Sequence, residues 1–278
     1  MHFESAERPR DAEGRQYHID LAPGEVARHI ILVGDPERAR RIAGLFDRVE
    51  LERQNREYVT ITGEHRGLRL SVMGTGMGCG STEIAIVELC QCVERPIMIR
   101  CGSTGALQPG MALGDLVISQ GALRLENTSR FYVDDGYPAV ADPQVVLALA
   151  AASAAIGQRY HVGITATAPG FYAAQGRSIE GFPPREPDIV DRLARQGVKN
   201  LEMETSCLLT LATLRGFMAG AVCAVYATRT DNVFITPDQK SAAELACITA
   251  GLEAHHLLHA MEKARGASPL WHPGLPLP

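Results

Sequence analysis

Apolar and β-branched residues gather in short runs at positions 30–33, 68–73, 96–101, 116–119 and 221–228, and each run predicts a strand. Between and after them lie stretches of helical length and spacing, at 36–46, 82–93, 143–156, 189–196, 203–214 and 241–264. Such alternation predicts an α/β fold around one largely buried sheet. No internal repeat or low-complexity linker divides the pattern. A single domain is expected over residues 17–265, with a loose extension at 1–16 and a Pro-rich tail at 266–278. The polar or Pro/Gly-rich connections 125–142, 168–188 and 229–240 are long for a compact domain, and long loops at a sheet edge commonly line sites.

Composition adds exclusions. Of the 278 residues, 46% are hydrophobic and 21% charged, which suffices for a sizeable core and is too apolar for a disordered chain. Asp and Glu number 32 against 27 Lys and Arg, so the net charge is −5, and no long basic block offers a surface for nucleic acid or an acidic membrane. The apolar run at 145–156 is too short to cross a bilayer, and the charged stretch 1–15 has no apolar signal core. Seven cysteines without any C-x-x-C pair are expected as buried thiols in a reducing cytoplasm.

Four segments carry candidate chemistry. The first strand run ends in Gly34-Asp35-Pro36-Glu37-Arg38. Gly lets backbone N–H groups approach a ligand, Asp and Pro suit a helix start, and the Arg38 fork can reach the same anion. A plain strand-to-helix turn with Arg38, Arg40 and Arg41 on a solvated face fits equally well. Gly74-Thr75-Gly76-Met77-Gly78-Cys79-Gly80-Ser81 invites a dinucleotide reading, but G-x-G-x-x-G would need glycine at Cys79 or Ser81, and no Walker lysine follows. It is either a tight turn or a binding floor.

Arg100 is expected at a strand end, before a glycine turn bearing Ser103 and Thr104. A buried arginine there needs an anion, either a bound tetrahedral oxyanion or an internal carboxylate. Glu202 and Glu204 open an apolar segment, where they would complement a helix N-terminus or hold a vicinal diol such as that of ribose. His255 and His259 fall one helical turn apart, a spacing that can bind metal, but without a third ligand in the pattern a solvated helix face is expected.

Together, Gly34-Asp35-Pro36-Glu37-Arg38, Arg100-Cys101-Gly102-Ser103-Thr104-Gly105-Ala106, Gln175-Gly176-Arg177, Glu202-Met203-Glu204 and Arg229-Thr230 closely resemble, in order, the motifs of the hexameric nucleoside phosphorylase family. The resemblance runs from Tyr17 to Ala264. It implies a three-layer α/β/α fold with a mixed, partly barrel-like sheet, a hexamer built as a trimer of dimers, and phosphorolysis of a nucleoside to a free base and ribose 1-phosphate.

By matching motif, the resemblance implies that Gly34, Arg38, Arg100 and Ser103 or Thr104 hold phosphate, joined by Arg56 from a neighbouring subunit. His18 would reach the sugar 5′ hydroxyl across that interface. Met203 and Glu204 would hold ribose, with Glu202 supporting the base side. Gln175 and Arg177 would match the edge of uracil, Phe171 would stack near the base, and Arg229 would orient Arg177 or the base through water. Uridine is thus the implied substrate, alongside other pyrimidine nucleosides, and inorganic phosphate is the co-substrate. No organic cofactor is implied, while Glu57, Ser81 and the Met77 carbonyl match positions around a monovalent cation at some family interfaces.

The chain departs from the family pattern in three places. Arg100-Cys101-Gly102-Ser103-Thr104 replaces Arg-Ile-Gly-Thr-Thr, Pro-Gly is missing before Gln175, and Asp231-Asn232-Val233 follows Arg229-Thr230. Base choice is therefore less constrained than reaction type. Asp231, placed like an acid used by purine-cleaving relatives, keeps a purine nucleoside phosphorylase as the alternative. A non-catalytic nucleoside-binding protein is disfavoured by the intact arginine set.

Overall fold

The computed structural model describes residues 3–276. Strand β1 (His29–Val33) leads into α1 (Pro36–Ala43), and β2 (Arg48–Asn55), β3 (Tyr58–His65) and β4 (Leu68–Gly74) form a meander before α2 (Cys79–Cys92). There follow β5 (Ile97–Ala106), β6 (Leu116–Arg124), β7 (Ala139–Val140), α3 (Pro143–Ala155), β8 (Tyr160–Thr167) and α4 (Ile189–Arg195). The chain continues through β9 (Asn200–Glu202), α5 (Thr205–Arg215), β10 (Met218–Thr228) and β11 (Val233–Phe234) to α6 (Pro237–Arg265).

All these strands join one mixed sheet. Because β10 pairs with both β6 and β5, the strands β5, β9, β8, β6 and β10 close into a ring, from which β1, β4, β3 and β2 extend as a wing. Helices α1, α3 and α6 bury Ile42, Val145, Leu149, Ile248 and Leu258 against one face. Helices α2 and α5 bury Ile86, Leu89, Leu208 and Leu209 on the other. The result is a three-layer α/β/α fold around a mixed, partly barrel-like sheet.

The sheet departs from the sequence pattern where hydrophobic runs are absent. β2 is an edge strand rich in charged and polar residues, so it reads as a loop. β8 is interrupted by Gly163, against which the Lys199 stem packs, and β9 is only three residues long. Helix α6 begins earlier than expected because Thr236 and Gln239 form a reciprocal capping box around Pro237.

Strand β5 corrects the reading of Arg100. It stays extended to Ala106 because β10 pairs beside it from Ile97 onward, so Arg100 sits within the strand and Ser103 and Thr104 are strand residues. On its other edge β5 pairs with β1 as far as Arg100 and with β9 only from Gly105. The segment 101–104 thus faces a gap where neighbouring strands part, beside the carboxyl end of β1. Such a switch point is where open α/β sheets form ligand crevices.

His255 is also corrected: it is fully buried, with its Nδ1 3.1 Å from that of His29. Helix α6 packs against both the sheet and α3, so polar spacing along it does not report exposure. Among the described residues no group of three or more His, Cys, Asp or Glu side chains could hold a metal ion, and no helix is long and apolar enough to cross a membrane. All seven cysteines are free thiols, six of them buried.

Candidate active site

A cavity of about 210 Å³ opens at the gap beside β5. Gly34, Asp35 and Arg38 reach it from the β1–α1 turn, Arg100, Ser103 and Thr104 from β5, Glu202, Met203 and Glu204 from the β9–α5 junction, and Phe171, Gln175 and Arg177 from the 168–188 connection. Met77 from the 74–81 turn joins them, so five of the sequence segments converge on one space.

At one end the arginines are tethered by carboxylates. Asp35 caps α1 by accepting the Glu37 N–H at 2.9 Å, which aims the first turn so that Arg38 is buried. Arg38 Nε donates to Glu244 at 3.0 Å and Nη1 to the buried Cys101 carbonyl of β5 at 3.3 Å. Glu244 also accepts Arg41 Nε at 2.6 Å and the Tyr226 hydroxyl at 3.4 Å. Burial works against the Arg38 charge, but Tyr226 and Glu244 outweigh it and raise its pKa.

Arg100 donates from Nε to Glu202 at 3.1 Å and from Nη2 to Glu204. Gly102 makes this possible, since a Cβ there would lie 2.8 Å from the Arg100 guanidinium carbon. Burial again opposes the charge, and Glu204 and its neighbours reverse the effect, leaving Arg100 well above its ordinary value. The two hydroxyls on β5 are not equivalent. Thr104 Oγ1 donates to the Leu201 carbonyl at 2.6 Å and accepts Asn200 Nδ2 at 2.8 Å, whereas Ser103 Oγ has no hydrogen bond among the described residues. Ser103 is the hydroxyl left for a ligand.

Glu202 lines the cavity, and its carboxylate is engaged by protein donors. Its Oε1 accepts Thr167 Oγ1 at 2.6 Å, and its Oε2 accepts Arg100 and the N–H groups of Glu204 and Thr205 at 2.8 and 2.9 Å, which caps α5. Glu204 accepts the Gly78 N–H at 2.6 Å, from a residue whose φ of 94° favours glycine. Burial pushes the Glu204 carboxyl up while Arg100 pulls it down, and burial prevails.

The other end differs in kind. Arg177 Nη1 donates to Gln175 Oε1 at 2.7 Å and to the Phe171 carbonyl at 2.5 Å, and its guanidinium carbon lies 3.8 Å from the centre of the Phe171 ring. Arg229 Nη2 donates to the Gln175 carbonyl at 3.0 Å and so fixes the turn that carries Gln175 and Arg177. Burial, then repulsion from Arg229, pushes Arg177 down to about 10, and burial lowers Arg229 too. Among the described residues neither has a carboxylate partner, so this end favours a neutral carbonyl or a developing anion.

His18 and Arg56 lie outside the cavity lining but beside each other. Asn55 Nδ2 donates to the His18 carbonyl at 2.8 Å, and Arg56 Nη2 donates to the Tyr17 hydroxyl at 2.9 Å. Glu57, Met77 and Ser81 line a second cavity, with Ser81 Oγ donating to the Met77 carbonyl at 3.3 Å. Asp231 is exposed and does not line the main cavity. Glu244, Tyr226 and Phe234 are part of the site but were not picked out from sequence; Tyr226 was hidden in an apolar run, and Glu244 had no local signal.

Residues 28–259 match the phosphorylase superfamily. A protein named uridine phosphorylase from Thermococcus kodakarensis is 47% identical over 277 residues, covering 98% of each chain. A guanosine phosphorylase from Halorubrum lacusprofundi is 35% identical over 82% of this chain and 88% of its own. A crystal structure of a Trypanosoma brucei nucleoside phosphorylase, described as showing uridine phosphorylase activity, superposes with a TM-score of 0.82 at 28% identity, covering 89% of this chain and 99% of that one.

Proposed function

The chain belongs to the phosphorylase superfamily, and on that premise we propose that it cleaves uridine with inorganic phosphate, giving uracil and ribose 1-phosphate. The carrying observation is the electrical difference between the two ends of the cavity. Arg38 and Arg100 are fixed by glutamates at one end, whereas Arg177 and Arg229 at the other have no counterion among the described residues.

Phosphate held by the Gly34 turn, Arg38, Arg100 and Ser103 attacks C1′ from the face opposite the base, through an oxocarbenium-like transition state. Its remaining negative charge stabilises the cationic sugar, while Glu204 and Met203 hold the ribose. Gln175 and Arg177 meet the uracil edge and take up charge on the departing base. Catalysis is positioning and electrostatics, with no covalent enzyme nucleophile.

At the phosphate end Arg38, Arg41 and Arg100 are already engaged by Asp35, Glu202, Glu204 and Glu244 before phosphate binds. A further cation is needed. Arg56, mounted beside His18 and outside its own cavity, supports sites shared between subunits of a dimer, with three dimers forming a hexamer. Glu57, Ser81 and the Met77 carbonyl are all oxygen donors, as a hard cation requires, and would hold a monovalent ion at the dimer contact. The free thiols support a reducing cytoplasm, where the reaction serves pyrimidine salvage and nucleoside catabolism.

Phosphate-dependent base release from uridine, thymidine, inosine and guanosine tests the substrate. Uridine is expected to lead; preference for inosine or guanosine would overturn the assignment and direct attention to Asp231. Mixing Arg56→Ala with Glu204→Ala subunits tests site sharing, with partial recovery of activity expected and no recovery despite subunit exchange counting against it.

A further inference from the structure

Glu88 on α2 is buried yet lies outside the main cavity. Its Oε2 accepts the backbone N–H groups of His18 and Ile19 at 3.0 and 2.9 Å, and its Oε1 lies 2.6 Å from His18 Nδ1. Asn55 closes the other side by donating to the His18 carbonyl. Backbone and one ring nitrogen are thus both fixed, while the ring remains partly exposed and Nε2 has no hydrogen bond among the described residues. An ionised carboxylate accepts and cannot donate. Opposite it, the proton of a neutral imidazole belongs on Nδ1, which makes Nε2 an acceptor.

We infer that Glu88 is a positioning residue that locks His18 in its Nδ1–H tautomer, so that Nε2 accepts a hydrogen bond from the 5′ hydroxyl of the nucleoside in the neighbouring subunit. This rests on the shared-site reading proposed above. It makes a free hydroxyl at C5′, a donor, part of what the enzyme recognises. Asn55 sets where the ring stands, and Glu88 sets which face of its chemistry is offered.

The test compares kcat/KM for uridine and 5′-deoxyuridine in the full-length protein and variants, with ¹⁵N NMR of the His18 ring. Wild type is expected to favour uridine by about three- to tenfold, the worth of one such hydrogen bond, and to show a protonated Nδ1 in the neutral ring. Glu88→Ala and His18→Ala should each bring the ratio close to one. If His18→Ala keeps the preference, the shared-site reading fails. If His18→Ala removes it and Glu88→Ala does not, the role of Glu88 is overturned. Glu88→Gln guards against misfolding, since its amide oxygen still accepts the two backbone N–H groups. Its NH₂ then faces Nδ1, and the NMR signature should move to the Nε2–H tautomer; an unchanged signature overturns the inference.

Discussion

Replacing Arg100 by Met keeps much of the buried stem and removes the guanidinium, and the surrounding hydrogen bonds indicate where the cost falls. Glu202 retains Thr167 Oγ1 and the N–H groups of Glu204 and Thr205. Glu204 is left with the Gly78 N–H, in a position where burial already raises its pKa. Breaking a buried pair from one side costs about 3–5 kcal/mol, which in a chain of this size lowers Tm by about 6–20 °C. Without Arg100 the folded pKa of Glu204 rises further above its ordinary 4.5. The contribution of that group is then full below its unfolded value and is lost as pH climbs through the raised folded one, so the Tm gap to wild type should widen as pH rises above the ordinary carboxylate range. Loss of a charged donor to phosphate costs a further 2–5 kcal/mol or so in transition-state binding, about 30- to 5,000-fold in kcat/KM. Thermal melts and initial rates, taken below the variant's Tm, measure the two losses separately. Adding Glu204→Gln should restore most of the stability and none of the activity. If Arg100→Met melts like wild type, or if the two substitutions destabilise additively, the buried pair does not organise the site as described.

Glu244→Gln leaves a single acceptor oxygen for two arginines, so KM for phosphate should rise by about tenfold while KM for uridine stays within about twofold; a lower KM for phosphate would mean Glu244 only offsets the Arg38 charge. Gln175→Ala and Arg177→Ala should each lower kcat/KM for uridine by at least roughly tenfold, about 1.4 kcal/mol, with phosphate KM little changed, and undiminished uridine turnover in both would remove these residues from base recognition. Burial, then Arg28, pushes His29 down to about 4, so the folded state keeps it neutral while the unfolded chain takes up a proton below its ordinary 6.5. Stability present above that pH should fall between about pH 6.5 and 4, by on the order of 3 kcal/mol for His29, and urea unfolding of His29→Phe should show a shallower acid limb; an identical limb would discount the buried histidine pair.

The legible parts of the fold were those in which local chemistry and tertiary role coincide. The run before Gly34-Asp35-Pro36 announces both the end of β1 and the start of α1, because capping is a property of adjacent residues. By contrast, the charged edge strand β2 and the three-residue β9 depend on partners distant in sequence, and hydrophobic periodicity cannot report a partner. The site follows the same division. Arg38, Arg100, Gln175 and Arg177 stand in motifs, whereas the roles of Glu244 and Glu88 exist only because α6 crosses beside α1 and the segment before β1 folds onto α2. For Glu202 the motif was visible, but its bonds to Arg100, Thr167 and the start of α5 depend on tertiary partners that the motif does not name.

The most direct measurement is ³¹P NMR of the purified protein incubated with uridine and inorganic phosphate, alongside a phosphate-free control. The arginine arrangement predicts loss of the phosphate signal, growth of a ribose 1-phosphate signal in equal amount, uracil release to match, and no turnover in the control. Uracil released at the same rate without phosphate, with free ribose as the sugar product, would contradict it.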